Sequence, residues 1–286
     1  MSERLSVIIA VGNAQAPWEK CLAALAGNAG PVDEVILVSN APLIGPHPGV
    51  RTLQVVGALV PVLWERGIRE TGGEWVALLS ADCVPAPGWA EAIRTAHRED
   101  VAGVGGAIAI TPGAGLSDRA LHFCRYSRYM PPFARRETAD FAADNASYKR
   151  AALVACESLR SEGFWEPAIH AEMIRQGARL VVDPAIAVEL HNSIRPSTFV
   201  WQRFKHGRQF GCSNAGEMSI IRRVARIIIA PLIPLVMITR VAREVTARRR
   251  HAGWLVLASP VLALFFIAWA AGECTGYFKC QNPDSK

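Results

Sequence analysis

From Leu5 to Ile110 short apolar runs alternate with helical patterns, and this alternation restricts the fold more than any other feature of the chain. Leu5–Val11 is an apolar run rich in β-branched residues, as a strand buried on both faces requires. Trp18–Ala26 has a helical pattern, Pro31 precedes a strand at Glu34–Val38, and Arg51–Val56 reads as a third strand. Pro61–Thr71 then reads as a helix, Trp75–Leu79 as a fourth strand and Trp89–Arg98 as a helix, and Val101–Ile110 closes the series. Strands separated by helices predict an α/β fold, a mostly parallel sheet flanked by helices with right-handed crossovers. Gly12 stands alone after the first strand, so a dinucleotide-binding G-x-G-x-x-G fingerprint is absent.

The stretch Trp64–Trp89 carries the first chemical hint. Its buried strand ends in a polar tip at Asp82, and open α/β sheets bind ligands at the C-terminal ends of their strands. The following Val-Pro-Ala-Pro-Gly-Trp is a rigid turn that would hold the carboxylate in place. A strand-end Asp that only caps its turn is the competing reading. Residues 111–215 are less regular. They hold the aromatic, basic run Phe123–Arg136, which either lines an acceptor groove or packs under a loop. They also hold ADNASYKRAAL (142–152), EGFWEPAIHAEMIRQGARLVVDP (162–184) and a strand at Ala185–His191. Glu166–Gln176 is helical in character, with Ile169, Met173 and Ile174 on one side and Gly177 in the C-terminal cap position. His191 ends its strand as Asp82 ends its own.

With 286 residues the chain can bury one large core or two modest ones. A hydrophobic fraction of 51% and a mean hydropathy of +0.18 point to a membrane-associated part. The net charge of +6 is confined to residues 216–286, where ten Lys and Arg face four acids; residues 1–215 are neutral. Basic charge beside the most apolar stretch marks a membrane flank and argues against nucleic acid as a partner. Ala252–Gly272 carries no charge and is long enough to span a bilayer core. Ile227–Thr239 is shorter, includes Pro231 and Pro234, and is too short to span. Arg222, Arg223 and Arg226 precede it, and Arg240, Arg243 and Arg248–Arg250 follow it. That pattern fits an interfacial or re-entrant segment, with a buried core helix as the alternative. The expected organisation is therefore a catalytic domain over 1–215, a basic interfacial or re-entrant segment over 216–251, and a transmembrane helix with a short tail over 252–286. If the first apolar segment does not span, Gly276–Lys286 lies outside the cell, and labelling of Cys280 would report this. The seven cysteines are scattered without a C-x-x-C pair, so neither a disulfide framework nor a zinc site is expected. The N-terminus reads as a strand rather than a signal peptide, which keeps the catalytic region in the reducing cytoplasm.

Taken in order, these segments resemble the family 2 glycosyltransferases, which have the GT-A fold. SVIIAVGN (6–13) is similar to that family's opening strand, and DEVILVSNAP (33–42) to its second. WERGIRETGGEWVALLSADCVPAPGW is similar to its metal-site block, ADNASYKRAAL to its acceptor-side segment, and GFWEPAIHAEMIRQGARLVVDPAIAVELH (163–191) to the block with the catalytic acid and terminal His. The resemblance covers about residues 5–210.

The resemblance implies a membrane-anchored inverting transferase that moves a sugar from a nucleotide-diphosphate donor to an acceptor hydroxyl. The acceptor would be a glycan or a lipid-linked glycan at the cytoplasmic face of the cell membrane. Asp82 and His191 would hold Mn²⁺ or Mg²⁺, which stabilises a departing diphosphate as a Lewis acid. Glu166 would be the base that takes the acceptor proton. Gly177 follows it at the spacing that separates the family's catalytic Asp from its helix-ending Gly, and Phe164 and Trp165 are expected to desolvate it. Glu162 is its rival. Val11, Asn13, Ser39, Asn40, Arg66, Ser80, Arg203 and Arg208 are the implied donor contacts. Arg203 and Arg208 belong to WQRFKHGRQFG (201–211), which either covers the donor diphosphate or acceptor, or is an amphipathic surface helix against lipid headgroups.

Three positions depart from the family pattern. The Asp-x-Asp signature reads Ser80-Ala81-Asp82, which lacks the carboxylate that usually contacts the ribose. The second-strand Asp that holds the base reads Ser39, followed by Asn40. The paired acid of the catalytic block reads Trp165-Glu166. A degenerate, non-catalytic nucleotide-sugar-binding or scaffold membrane protein is the alternative these departures motivate. A membrane protein whose α/β domain binds some other phosphate ligand is a third.

Overall fold

The computed structural model describes residues 3–13, 15–28, 30, 32–43, 48–192, 194–215 and 218–279. Pro31 and the tail from Cys280 onward lie outside them. In chain order the elements are β1 (Leu5–Val11), α1 (Trp18–Ala26), β2 (Glu34–Ser39), β3 (Arg51–Gln54), α2 (Val60–Glu70), β4 (Trp75–Ser80), β5 (Cys83–Pro85), α3 (Trp89–His97), β6 (Gly103–Ile110) and α4 (Leu116–Tyr126). They continue with β7 (Arg136–Glu137), β8 (Asn145–Lys149), α5 (Arg150–Ala155), α6 (Glu166–Arg175), β9 (Leu180–Leu190), α7 (Pro196–Ala215), α8 (Ile220–Ile229), α9 (Ile233–Ala247) and α10 (Ala252–Lys279). The chain divides into two compact units, Met1–Thr111 with Tyr129–Ser193, and Pro112–Arg128 with Ile194–Lys286.

The first unit is built on a nine-stranded sheet of order β3-β2-β1-β4-β8-β6-β9-β5, with β7 on β9. Strands β1 to β4 are mutually parallel and β9 runs parallel to β6, whereas β5, β7 and β8 run against their neighbours. The sheet is thus mostly parallel in direction, as the strand and helix alternation requires. Every residue of β1 and of β4 is buried, which explains why both read as unbroken apolar runs. Helix α2 starts with Pro61 in its first turn, where the missing N–H costs nothing. It turns Leu63, Trp64, Gly67 and Ile68 to the sheet. A Cβ on Gly67 would lie 2.4 Å from Ile8 Cγ2, so glycine sets how closely this helix rides on β1.

Three strands stand where the sequence suggested none, the shortest being the two-residue β7. The segment read as a rigid turn holds the edge strand β5, whose Pro85 an edge tolerates. The ADNASYK segment supplies β8, which lies between β4 and β6. The last strand begins earlier than read, at Leu180, and slips register against β6 between Gly106 and Ala107.

The second unit is helical. α10 buries one stripe, Leu255, Ala258, Leu262, Phe265, Phe266, Ala270, Glu273 and Tyr277, and packs against α4, α7 and α9. Its contact with α7 runs through glycines on both helices. A Cβ on Gly207 would lie 2.1 Å from the Trp269 carbonyl oxygen, and one on Gly211 2.3 Å from that of Glu273. Reciprocally, a Cβ on Gly272 would lie 2.0 Å from the Phe204 oxygen, and one on Gly276 2.3 Å from that of Arg208. GRQFG (207–211) and GECTG (272–276) are therefore two small-x-x-x-small motifs that bring two backbones into direct contact.

The opposite side of α10 exposes Val256, Leu257, Leu264, Ile267 and Phe278. The short apolar centre Ile227–Thr239 sits inside a longer helical run, Ile220–Ala247. Pro231 and Pro234 do not break that run because each falls in the first turn of a helical segment. Ile220–Ala247 and Ala252–Phe278 are both long and apolar enough to cross a membrane, by length and composition alone. Cys21, Cys83, Cys124, Cys156 and Cys274 are reduced thiols, whereas Cys212 is disulfide-bonded, a departure from the reduced catalytic region that the sequence predicts.

Candidate functional site

Strand β1 is followed by β2 on one side, while β4 lies on its other side, so the sheet's topological switch point falls between β1 and β4. Ligands of open α/β sheets bind outside the carboxyl ends of the strands at such a point. Val11, Asn13, Ser39, Asn40 and Ser80 all lie at the ends of β1, β2 and β4, so the fold gathers these five at one edge. The edge is held by short-range bonds. The Asn40 N–H donates to the Val11 carbonyl (3.1 Å) and its Nδ2 to the Gly12 carbonyl (2.9 Å), while the Ala81 N–H donates to Ala10 (3.0 Å). Ser39 Oγ donates to the Ala41 carbonyl at 2.6 Å, and Asn13 Oδ1 accepts from the Gln15 N–H at 3.1 Å. Arg66 is placed elsewhere. It is exposed and pairs at 2.8 Å with Glu70, which also pairs with Arg51 at the amino end of β3.

Asp82 and His191 are brought together. Cys83 on β5 pairs with Leu190 on β9, so the preceding and following residues face each other, and the His191 N–H donates to the Asp82 carbonyl at 2.8 Å. His191 Nε2 is 3.8 Å from Glu189 Oε2. Partial burial lowers the His191 imidazole below its usual range, the Lys20 charge adds to this, and Glu189 opposes it. A neutral imidazole beside a carboxylate is an N,O donor pair of the kind Mn²⁺ accepts. Among the described residues no group of three or more His, Cys, Asp or Glu side chains is placed to hold a metal ion. A cation at Asp82 and His191 would therefore draw its other ligands from water and from the bound molecule.

Glu166 is the first residue of α6 and is half-buried. The turn before it is set by Gly163, whose φ of +126° suits glycine, and by the Phe164 N–H donating to the Pro61 carbonyl at 2.8 Å. Phe164 is fully buried, its ring 5.3 Å from that of Tyr148, while Trp165 is 38% exposed and leaves one side of the segment open to water. The rival Glu162 is exposed. One turn after Glu166, buried His170 links two side chains that the sequence did not single out. Its Nε2 is 2.8 Å from the Tyr148 hydroxyl and its Nδ1 is 2.7 Å from Asp140 Oδ1. Burial raises the Tyr148 phenol well above its usual range, and the charges of Glu166 and then Asp140 add to the rise. The available signal was a Tyr in ADNASYKRAAL and a His one helical turn after the candidate base.

Asn145, also from ADNASYKRAAL, is fully buried and holds three elements at once. Its Nδ2 donates to the Ala107 carbonyl (3.0 Å) and to that of Ile186 (2.9 Å), and its Oδ1 accepts from Trp89 Nε1 (2.9 Å).

Arg203 and Arg208 belong to the second unit, on α7. The Arg203 guanidinium lies over the rings of Phe199 (5.1 Å) and Trp269 (5.3 Å) and contacts His206 Nδ1 at 2.8 Å. Desolvation lowers its pKa and holds His206 down at about 4. Arg208 is exposed. The aromatic run Phe123–Arg136 divides between the units. Phe123 is buried on α4, while Arg135 pairs with Glu99 (2.9 Å) and Asp183 (3.0 Å) in the first unit.

No protein-family model matches the chain, and no curated protein does. Among solved structures, the chain is similar to the mannosyltransferase PcManGT from Pyrobaculum calidifontis, solved in complex with GDP-Man and Mn²⁺. The TM-score is 0.55 at 17% identity, over 94% of this chain and 86% of that one. At that identity the likeness is one of fold: the chain has the fold of a glycosyltransferase.

Proposed function

We propose that the protein is a membrane-anchored, inverting glycosyltransferase of the family 2 type, with its GT-A catalytic domain lying within residues 1–215. It moves a sugar from a nucleotide-diphosphate donor to the hydroxyl of a glycan or lipid-linked glycan. The observation that carries this reading is the juxtaposition of Asp82 and His191, which are far apart in sequence yet adjacent across β5 and β9. Val11, Asn13, Ser39, Asn40 and Ser80 shape the crevice that takes the nucleoside. Asp82 and His191 hold Mn²⁺ or Mg²⁺, which when bound supplies the charge that stabilises a departing diphosphate. Glu166 accepts the proton of the acceptor hydroxyl, and the Asp140–His170–Tyr148 chain fixes the first turn of the helix that carries it.

The second unit anchors the enzyme in the cell membrane with the catalytic domain facing the cytoplasm. On α8 the exposed Ile220, Ile221, Val224 and Ile228 share one face, while Arg222, Arg223 and Arg226 share the other, the pattern of a helix lying in the interface. Arginines at both ends of the following apolar stretch keep both ends on the cytoplasmic side.

Calorimetry of the detergent-solubilised full chain with UDP and with GDP, in Mn²⁺ and then in EDTA, tests the donor site. One nucleotide binds only with metal, and Asp82→Ala abolishes that binding. Binding that survives both EDTA and Asp82→Ala removes the metal role, and binding of neither nucleotide removes the enzyme reading.

A further inference from the structure

Helices α9 and α10 are joined by four residues, 248–251, and pack against each other, so they form an antiparallel hairpin. The pairing continues beyond α9. The turn Ala230–Leu232 packs on α10 with Ala230 buried, and Arg226 of α8 lies within electrostatic reach of the Tyr277 hydroxyl near the far end of α10. Ile220–Ala247 therefore runs beside α10 for most of its length. Counted from the turn at about 1.5 Å per residue, Arg243 stands roughly level with Leu257 and Arg240 with Pro260. Both levels fall within the uncharged stretch Ala252–Gly272. On the other flank of α10, Arg119 of α4 lies over the Trp254 ring (4.3 Å) and Arg203 of α7 over that of Trp269 (5.3 Å).

Taken by itself, α10 has enough uncharged length to span a hydrocarbon core. Its neighbours change this. Were α10 to cross, Leu262 at the middle of the uncharged stretch would mark the bilayer centre, and Arg240 and Arg243 would lie within roughly 8 Å of that depth. Both are exposed, and the nearby Glu244 is paired with Arg248 at 3.3 Å. From the middle of a core about 30 Å thick an arginine side chain does not reach the headgroups, and a charge left there is costly. The charge-free depth common to both arms of the hairpin is 227–239 against about residues 262–272, roughly 16 Å, or half a core. Exposed apolar side chains concentrate in this zone: Ile228, Leu232, Leu235 and Val236 on one arm, Leu264 and Ile267 on the other. Arginines bound it at both ends, Arg222 and Arg226 at one, Arg240 and Arg243 at the other. A zone too short to cross and charged at each end suits a lipid interface, with its apolar side chains among the acyl chains and its arginines at the phosphate headgroups.

We propose that α8, α9 and α10 lie along one leaflet of the membrane and that α10 does not cross it, in contrast to the transmembrane helix its sequence alone suggests. The carboxyl end of α10 then lies on the same side as the α9–α10 turn and the N-terminus of the chain. Membrane attachment itself, and the cytoplasm as that side, rest on the reading above.

The test uses three variants of the full chain, Ser2→Cys, Arg250→Cys and Ser285→Cys, each compared with the unsubstituted protein. A membrane-impermeant maleimide carrying a polyethylene glycol is added to spheroplasts, which present the outer face, and to inverted membrane vesicles, which present the cytoplasmic face. Each variant gains one gel-shift increment over the unsubstituted protein in inverted vesicles and none in spheroplasts. A protease site inserted after Arg250, digested from each side, reads the turn if Arg250→Cys does not accumulate. Labelling of Ser285→Cys from the side opposite to the other two means that α10 crosses once, and this overturns the proposal. Labelling of the turn from the side opposite to both ends means that the hairpin crosses twice, and this overturns it equally. Recovery of the chain in the soluble fraction without detergent also overturns it. Labelling of all three from the outer face leaves the one-leaflet arrangement standing and refutes the cytoplasmic placement instead.

Discussion

Gly207→Ala tests the packing of the second unit most directly. The added methyl would sit 2.1 Å from the Trp269 carbonyl oxygen and 2.9 Å from its carbon, both backbone atoms that cannot rotate aside. Relief requires α7 and α10 to part by roughly 1 Å, while a carbon–carbon contact that opens by that much loses up to half its attraction. The neighbouring contacts at Gly211, Gly272 and Gly276 are equally tight, so the parting is felt along the whole seam. Overpacking of this kind costs about 1–3 kcal/mol, and the upper end applies because the obstacle is backbone. Alanine's better helix propensity returns about 1 kcal/mol, which leaves a net loss of about 2 kcal/mol. Gly253→Ala on α10 is the control: nothing lies within 4 Å of its added carbon, so it is neutral or gains under about 1 kcal/mol. Denaturant unfolding of the full chain in detergent, followed by tryptophan fluorescence, reads both variants; Trp201, Trp254 and Trp269 report on this unit. If Gly207→Ala proves as stable as Gly253→Ala, close backbone contact does not hold α7 to α10.

Two further outcomes follow from the first unit. Glu166→Gln lowers release of nucleoside diphosphate from the donor sugar by roughly 10²–10⁴-fold while calorimetric nucleotide binding persists; unchanged turnover excludes Glu166 as the base. His97 is buried, stacked on Trp75 and 2.9 Å from Ser147 Oγ, and desolvation followed by the Lys149 charge lowers its pKa from 6.5 to about 4. The unfolded chain therefore takes up this proton more readily than the folded one. Its contribution is complete above pH 6.5 and is lost as the pH falls toward 4, on the order of 3 kcal/mol by linkage. His97→Gln flattens the acid limb of the stability profile measured by urea unfolding, and an unaltered limb refutes the assignment.

Burial on both faces is what made the first half of the fold readable. β1 and α1 match the sequence reading to the residue, and β2, β4 and α3 to within one, because their apolar patterns arise from the elements themselves. β8 left no such trace. Asn145–Lys149 is buried for most of its length, but its polar side chains are satisfied by partners on other strands and on α3 and α6, which a local pattern does not display. The α7 and α10 contact is hidden for a different reason. The face of α7 that meets α10 at 207 and 211 is glycine, so no apolar stripe marks the contact, and neither reading of 201–211, a cover for the donor or acceptor or an amphipathic surface helix, includes α10. Only the paired G-x-x-x-G spacing carried the signal.

The same distinction between local and shared chemistry governs the site. Asp82 and His191 could be paired from the sequence only through the order of their segments, since nothing in either strand states that β5 and β9 are neighbours. The Asp140–His170–Tyr148 chain draws on a loop, a helix and a strand, and no window of sequence contains it. Position 80 behaves in the same way. Read along β4 alone, Ser80 is a missing carboxylate and an argument for lost donor recognition. With β8 in register, Ser80 is the hydrogen-bond donor to the carboxylate of Asp144, the residue before that strand. The chemistry of a sheet edge belongs to the set of strand ends that meet there, so a substitution in one strand carries functional meaning only once its cross-strand neighbours are known.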